Sequence, residues 1–309
     1  MLRSPSLTAV AVLCAGVFVF SLQDVIIKGV SGVYPVHEAI AIRCLTALPI
    51  LLAMVHFHGG LARLVSGRSG WLALRGGVMM VSYTCYYLSF PIMPLAKVVA
   101  LFFTAPLFVT ALAGPLLGER IGFRRWAATI VGFAGVVVIQ RPGLDVFDFA
   151  SLLPIVAALA YAAAQLMARR FGATESAPVM SFFQNVVYFL GALAMAAAFR
   201  GFDPQGQGSL AFLLRDWSLP TATDLLLLGL CGPIAAVGMM LLTEAYRMSE
   251  VNFVTPFEYT GLIWATLWGF WVFGEIPAWT TMFGAVLIVG AGLYVLFGAK
   301  SPDVHAELS

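Results

Sequence analysis

The chain has 309 residues and a formal net charge of only +2; 61% of its residues are apolar and 10% are charged, against roughly 25% charged in a soluble domain. This composition marks an integral membrane protein and excludes soluble catalytic or regulatory modules. The basic residues fall in short connections rather than one patch, so nothing points to nucleic acid.

A helix crosses the bilayer with about 20 apolar residues. Ten such spans are predicted, at 7–28, 35–56, 71–90, 94–117, 123–140, 147–168, 177–198, 222–246, 251–273 and 277–298. The fold class is therefore all-α, a membrane protein of ten transmembrane helices. Arg3 followed by an apolar run from Leu7 resembles the start of a signal peptide, but no small-x-small cleavage pattern follows. The segment reads as an uncleaved first span.

Span 1 carries Phe20, Asp24 and Lys28 at four-residue spacing, aromatic, polar, cation. In span 2, Arg43 sits about 12 Å in, placed to bind a carboxylate or, as a structural residue, backbone carbonyls. Span 3 opens on Arg75, within about 6 Å of its face, which reads as snorkelling. Further in, Tyr83, Tyr86, Tyr87 and Phe90 share one helical face, a stripe suited either to gripping a flat substrate or to helix packing. Lys97, one turn into span 4, attracts an anion or snorkels. Tyr161 and Gln165 of span 6 are a turn apart, and Asn185 of span 7 reads as glue between helices. Glu244 in span 8 and Asp24 in span 1, near opposite faces, are gate candidates, with Arg43 beside them for gating or coupling. Glu258, about 10 Å into span 9 with Tyr259 beside it, is placed to bind a substrate ammonium, to carry a proton, or to pair with an arginine.

Two echoes run through this list. Val98 to Glu119 and Val254 to Glu275 both close on Gly-Glu and align at an offset of 156 residues with five identities in 22 positions, including Thr104 with Thr260. Tyr161, Gln165 and Arg169 repeat the Phe20, Asp24, Lys28 pattern at an offset of 141. The halves are residues 1–145 and 146–300, with a tail at 301–309. Five spans per half force the second half to enter the membrane from the opposite side, so the repeat is inverted, as alternating access requires. Glu258 stands where the first half has Phe102, which makes a shared cavity chemically asymmetric.

Ten Lys or Arg residues lie on the N-terminal side of the spans and four on the other, which places both termini in the cytoplasm. The four cysteines stand singly in apolar runs and read as packing residues; no disulfide, metal or cofactor site is expected. His37-Glu38 does not extend to HExxH, and neither a Walker loop nor GxSxG occurs, so the chain is read as no enzyme. Gly132, Gly135, Gly284, Gly290 and Gly292 suit close packing of spans 5 and 10.

The two five-span halves, the Gly-Glu closures, Pro106 in span 4, Arg43 in span 2 and Lys28 ending span 1 together resemble the EamA-type branch of the drug/metabolite transporter superfamily, most of all YddG-type amino-acid exporters. The resemblance implies a secondary carrier in a bacterial-type inner membrane, with a central cavity lined by spans 1, 3, 4, 6, 8 and 9 and no metal or catalytic residues. Its expected partners are the lipid bilayer and a small-molecule substrate, read as aromatic and other neutral amino acids; a homodimer through spans 5 and 10 is left open. S-adenosylmethionine or another nucleoside-like metabolite, and lipophilic drugs, are the alternative cargoes. From a different class, an intramembrane enzyme or receptor is the remaining alternative.

Overall fold

The computed structural model describes residues 5–65, 67–117, 123–140, 152–171, 176–202, 204, 208–248 and 255–298. Among them are twelve α-helices and no strand: α1 (Pro5–Val30), α2 (Val36–Phe57), α3 (Ser69–Leu88), α4 (Leu95–Phe102), α5 (Ala105–Leu117), α6 (Phe123–Gln140), α7 (Leu153–Phe171), α8 (Ala177–Ala198), α9 (Ser209–Leu214), α10 (Ala222–Met248), α11 (Thr260–Phe273) and α12 (Trp279–Gly298). Each of the ten apolar runs contains α-helix within the described residues. Four segments, Leu7–Val30, Val36–Phe57, Pro178–Ala198 and Ala222–Leu242, are long and apolar enough to cross a membrane by length and composition. Only 22–33% of each of those windows is buried, which leaves apolar side chains at the surface for lipid to cover.

The fourth and ninth spans are not the continuous helices expected. Pro106 has no N–H for a bond to the carbonyl of Phe102, and its ring crowds that carbonyl, so α4 stops there and α5 begins at Ala105. Thr104 holds the step by donating its hydroxyl to the Leu101 carbonyl at 2.7 Å. In the ninth span a 3-10 turn, Thr255–Tyr259, precedes α11, and Thr260 donates its hydroxyl to the Phe257 carbonyl at 2.7 Å. Both threonines bond three residues back, a local alternative to the helix ladder. Each step lies 156 residues from the other.

The principal packing pairs are α1 with α10, α3 with α7, α2 with α8, α2 with α10, α3 with α8 and α6 with α12. Small residues set the closest approaches. A Cβ on Gly135 would lie 2.7 Å from the carbonyl oxygen of Gly284, and one on Gly284 would lie 2.6 Å from that of Gly135, so α6 and α12 touch backbone to backbone. Gly132 faces Leu107 and Ala291, and Gly292 receives the Tyr259 ring, while Gly290 has open space. The ends of α1, α3 and α11 and the starts of α2, α4 and α10 meet at one face, called distal here because the N-terminus lies at the other. The polar stretch between α8 and α10 packs onto that face. Phe212 of α9 is fully buried, Ser209 donates to the Leu88 carbonyl at 2.6 Å, and the Trp217 indole donates to His37 Nδ1 at 2.5 Å.

Candidate functional site

A polar network runs through the first half at mid-helix depth. Arg43 Nε donates to Gln23 Oε1 at 3.0 Å, and Gln23 Nε2 donates to the Tyr87 hydroxyl at 2.6 Å. Tyr87 and Tyr86 then donate to the two oxygens of Asp24, at 3.1 and 3.0 Å. The chain of donors thus leads from a cation to a carboxylate, which is how each is held away from water without direct contact. The Arg43 guanidinium also lies over the Tyr83 ring, 4.6 Å from its centroid, and 5.9 Å from that of Tyr188. Helix α3 makes this possible because Tyr83, Tyr86 and Tyr87 project from one face.

The stripe is thereby divided. Tyr87 is 2% exposed and committed on both sides of its hydroxyl, so it belongs to the core in this conformation. Phe90 is equally buried. Tyr83 and Tyr86 are half-buried. Tyr86 continues an aromatic line through Phe102 (centroids 5.0 Å apart) to Tyr161 (5.4 Å), crossing from α3 through α4 to α7. Tyr161 accepts a hydrogen bond from Gln165 at 2.7 Å. Half-buried Glu258 acts electrostatically on both Tyr161 and Tyr259. Phe102 and Glu258, at equivalent positions of the two echoes, both approach Tyr161. Tyr259 is 9% exposed and stacks edge-on against Phe103 at 5.0 Å; its buried hydroxyl has no hydrogen-bond partner among the described residues.

At the distal face a second arrangement explains one Gly-Glu closure. Gly274 takes a left-handed conformation, φ 65°, which glycine adopts without cost, and Glu275 N then donates to the Gly269 carbonyl at 2.8 Å. The chain folds back, and Gly269, having no side chain, leaves room for the carboxylate 3.2 Å from where its Cβ would be. Glu275 pairs with Lys28 at 2.8 Å and accepts the first amide of α4, Leu95 N, at 2.9 Å, the position a helix N-terminus offers an anion. Lys28, its side chain 8% exposed, also donates to the carbonyls of Phe90 and Met93 at 2.8 Å each. One ion pair therefore ties α1, the α3–α4 connection, α4 and α11 together.

Asn185 donates to the Cys44 carbonyl at 3.0 Å, the bridging role expected of it. Arg75 does not snorkel: its guanidinium donates inward to Gln184 at 3.2 Å, and its Nε is buried without a hydrogen-bond partner. Lys97 is half-buried on the first turn of α4. The side chain of Glu244, and Gly118-Glu119, lie outside the described residues. Sequence reasoning missed Gln23, which joins the Arg43 and Asp24 ends of the network, and Tyr188, which braces Arg43. Their only signals were adjacency to Asp24 and a one-turn spacing from Gln184.

The EamA-like transporter family matches this chain twice, over residues 7–141 and 148–297. A riboflavin transporter of Vibrio cholerae is 32% identical over 79% of this chain and 76% of its own length. An S-adenosylmethionine uptake transporter of Rickettsia bellii is 28% identical over 81% and 80%. A pseudopaline exporter of Pseudomonas aeruginosa is 25% identical over 89% and 90%. One solved crystal structure aligns over 96% of this chain and 99% of its own with a TM-score of 0.64 at 18% identity, a likeness of fold alone.

Proposed function

The chain belongs to the EamA-like transporter family, and from that premise we propose that it is an alternating-access carrier of two inverted five-helix repeats, moving a small metabolite that bears a flat ring. As a member of that family it is an integral membrane transporter; the proposal adds the repeats, the mechanism, an inner-membrane location with cytoplasmic termini, and the cargo.

The observation that carries it is that positions related by the two sequence offsets touch one another. Residues exchanged by a two-fold axis meet only on that axis. Cys44 and Asn185, 141 apart, are hydrogen-bonded across α2 and α8. Phe103 and Tyr259, 156 apart, stack at the two helix steps. Off the axis, contacts come in mirrored pairs. Gly76 of α3 faces Val187 and Gln184 of α8, while Gly232 of α10 faces Thr46 and Arg43 of α2, which are the same positions with the halves exchanged. The packing of α1 on α10 and α7 on α3 is a further exchanged pair. The sequence echoes of Lys28 and Glu275 are Arg169 and Glu119, the charges that a closure supplied by the other half would use.

The cargo follows from the aromatic line and the relatives. Riboflavin and S-adenosylmethionine both contain a flat nitrogen heterocycle, and Tyr83, Tyr86, Phe102 and Tyr161 offer ring faces and edges to stack on it. Glu258 is the seat for a cationic group. None of the relatives named above is an amino-acid exporter, so that narrower reading rests on the tyrosine stripe alone, whereas the S-adenosylmethionine alternative has relatives behind it. Relatives named for uptake and for export occur side by side, so direction is a property for the flux assay.

The test is protein-dependent flux into liposomes of radiolabelled S-adenosylmethionine, riboflavin and phenylalanine. The heterocycles are expected to move and to compete with one another. Phe102→Ala is expected to raise their half-saturation concentration about 10-fold, as loss of one stacking partner predicts. Movement of phenylalanine alone would return the cargo to amino acids; chemical conversion without flux would replace a carrier by an enzyme.

A further inference from the structure

Arg43 and Arg75 bracket one polar face of α8. Arg75 donates to Gln184 from the α3 side; Arg43 lies against Tyr188, and Gln184 donates to the Tyr188 hydroxyl at 3.2 Å. Among the described residues neither arginine has a carboxylate within ion-pairing distance. Asp24 answers Arg43 only through Gln23 and Tyr87. Arg43 donates its Nε to Gln23, and Arg75 Nε is buried with no hydrogen-bond partner among the described residues. Arginines inside a membrane are costly and persist where they face a partner or a polar cavity.

Such a cavity adjoins Arg43 and Gln184, the residue to which Arg75 donates. Arg43, Ser181, Gln184, Asn185 and Tyr188 line a cavity of about 40 Å³ between α2, α8 and α10, room for two or three waters or the head of one carboxylate. Its origin is in the repeat. On the α3 side the same space is filled by Met79, Met80 and Tyr83, which pack into the core, whereas the equivalent α10 positions are Ala235, Ala236 and Met239. Two alanines in place of two methionines leave the opening beside Arg43. The planar Arg43 guanidinium and the amides of Gln184 and Asn185 around one small volume match a carboxylate.

We infer that Arg43 and Gln184, the latter held from behind by Arg75, form an anion subsite that receives the carboxylate of the cargo. This rests on the carrier reading above and narrows it: the cargo joins a flat ring to a carboxylate, with Glu258 beyond Tyr161 as the seat for its cationic group. The subsite separates S-adenosylmethionine, which has a carboxylate, from riboflavin, which has none.

The experiment measures ligand-dependent thermal stabilisation of the purified, full-length protein by tryptophan fluorescence, since a ligand that binds the folded state raises its unfolding temperature. The probes are S-adenosylmethionine, decarboxylated S-adenosylmethionine, acetate and chloride. The wild type is expected to bind the carboxylated nucleoside at least ~10-fold more tightly than the decarboxylated one, and Arg43→Gln to close that gap. Arg75→Gln, which leaves the Arg43–Tyr83 stack in place, is expected to narrow it as well and serves if the first variant does not fold. Equal affinity of the wild type for both nucleosides, or a gap that persists in both variants, overturns the subsite. If acetate stabilises the protein through Arg43 while neither nucleoside binds, the subsite stands and the cargo reading falls. Stabilisation by chloride equal to that by acetate overturns the assignment to a cargo carboxylate and assigns the site to an inorganic ion.

Discussion

Glu275→Gln is expected to lower flux about 10-fold or more while leaving the protein folded. The substitution keeps the shape of the side chain but removes its charge, stranding the Lys28 ammonium among the carbonyls of Phe90 and Met93. Breaking a buried pair costs about 3–5 kcal/mol; at 8% and 20% exposure the loss is toward or below the lower end, still enough to move a two-state equilibrium by more than 10-fold. Because the pair joins α1 to α11 and seats the first amide of α4, its loss opens the distal face rather than unfolding a helix. A direct readout is a cysteine at Ser89, fully buried beneath the closure, in a background without the four native cysteines. It is expected to resist an impermeant maleimide in the otherwise unaltered chain and to react in Glu275→Gln. The exchange Lys28→Glu with Glu275→Lys restores the ion pair but gives Leu95 N no acceptor, so only partial recovery is expected. Unchanged flux together with an unreactive Ser89→Cys would remove the closure from the mechanism.

Gly232→Leu is expected to be the most damaging single substitution in the helix packing. A Cβ there would lie 2.5 Å from Ala47 N and 2.6 Å from the Arg43 carbonyl, and backbone cannot step aside as a side chain can. Overpacking of this kind costs about 3 kcal/mol or more, a fall in unfolding temperature of roughly 5 °C or more. The equivalent Gly76→Leu meets the Val187 side chain at 3.0 Å and is expected to be milder. Gly290→Leu, in open space, is the control and is expected to be neutral. Tryptophan fluorescence melts of the purified variants give the ranking; a Gly232→Leu protein as stable as the control would contradict the α2–α10 contact.

Much of this arrangement is legible in the chain because it depends on local spacing. The tyrosine stripe is set by helical periodicity, and the Gly274-Glu275 closure stands out in the chain, although the left-handed turn that places its acid came with the fold. The offset of 156 was visible as identities and that of 141 as a repeated aromatic, polar, cation spacing, yet the contact of Phe103 with Tyr259 needed the fold. Apolar runs say where helix lies but not which polar groups meet. Hydropathy assigned Arg75 to snorkelling from its depth alone, whereas its partner, Gln184, is 109 residues away. The step at Thr104 was hinted at by Pro106, and the one at Thr260 by Pro256 in the turn before it. The stretch between α8 and α10 reads as a polar linker, although Phe212 and Trp217 seal it onto the distal face.

The measurement that bears most directly on the central claim is counterflow. Liposomes containing the purified protein are loaded with unlabelled S-adenosylmethionine, diluted into a trace of the labelled compound, and sampled over time. A site that faces one side at a time returns occupied more often than empty, so labelled solute is expected to accumulate transiently above equilibrium, and the overshoot to shrink in Glu275→Gln. A monotonic approach to equilibrium would indicate an open path, and no protein-dependent movement of this or any ring-bearing metabolite would contradict the carrier itself.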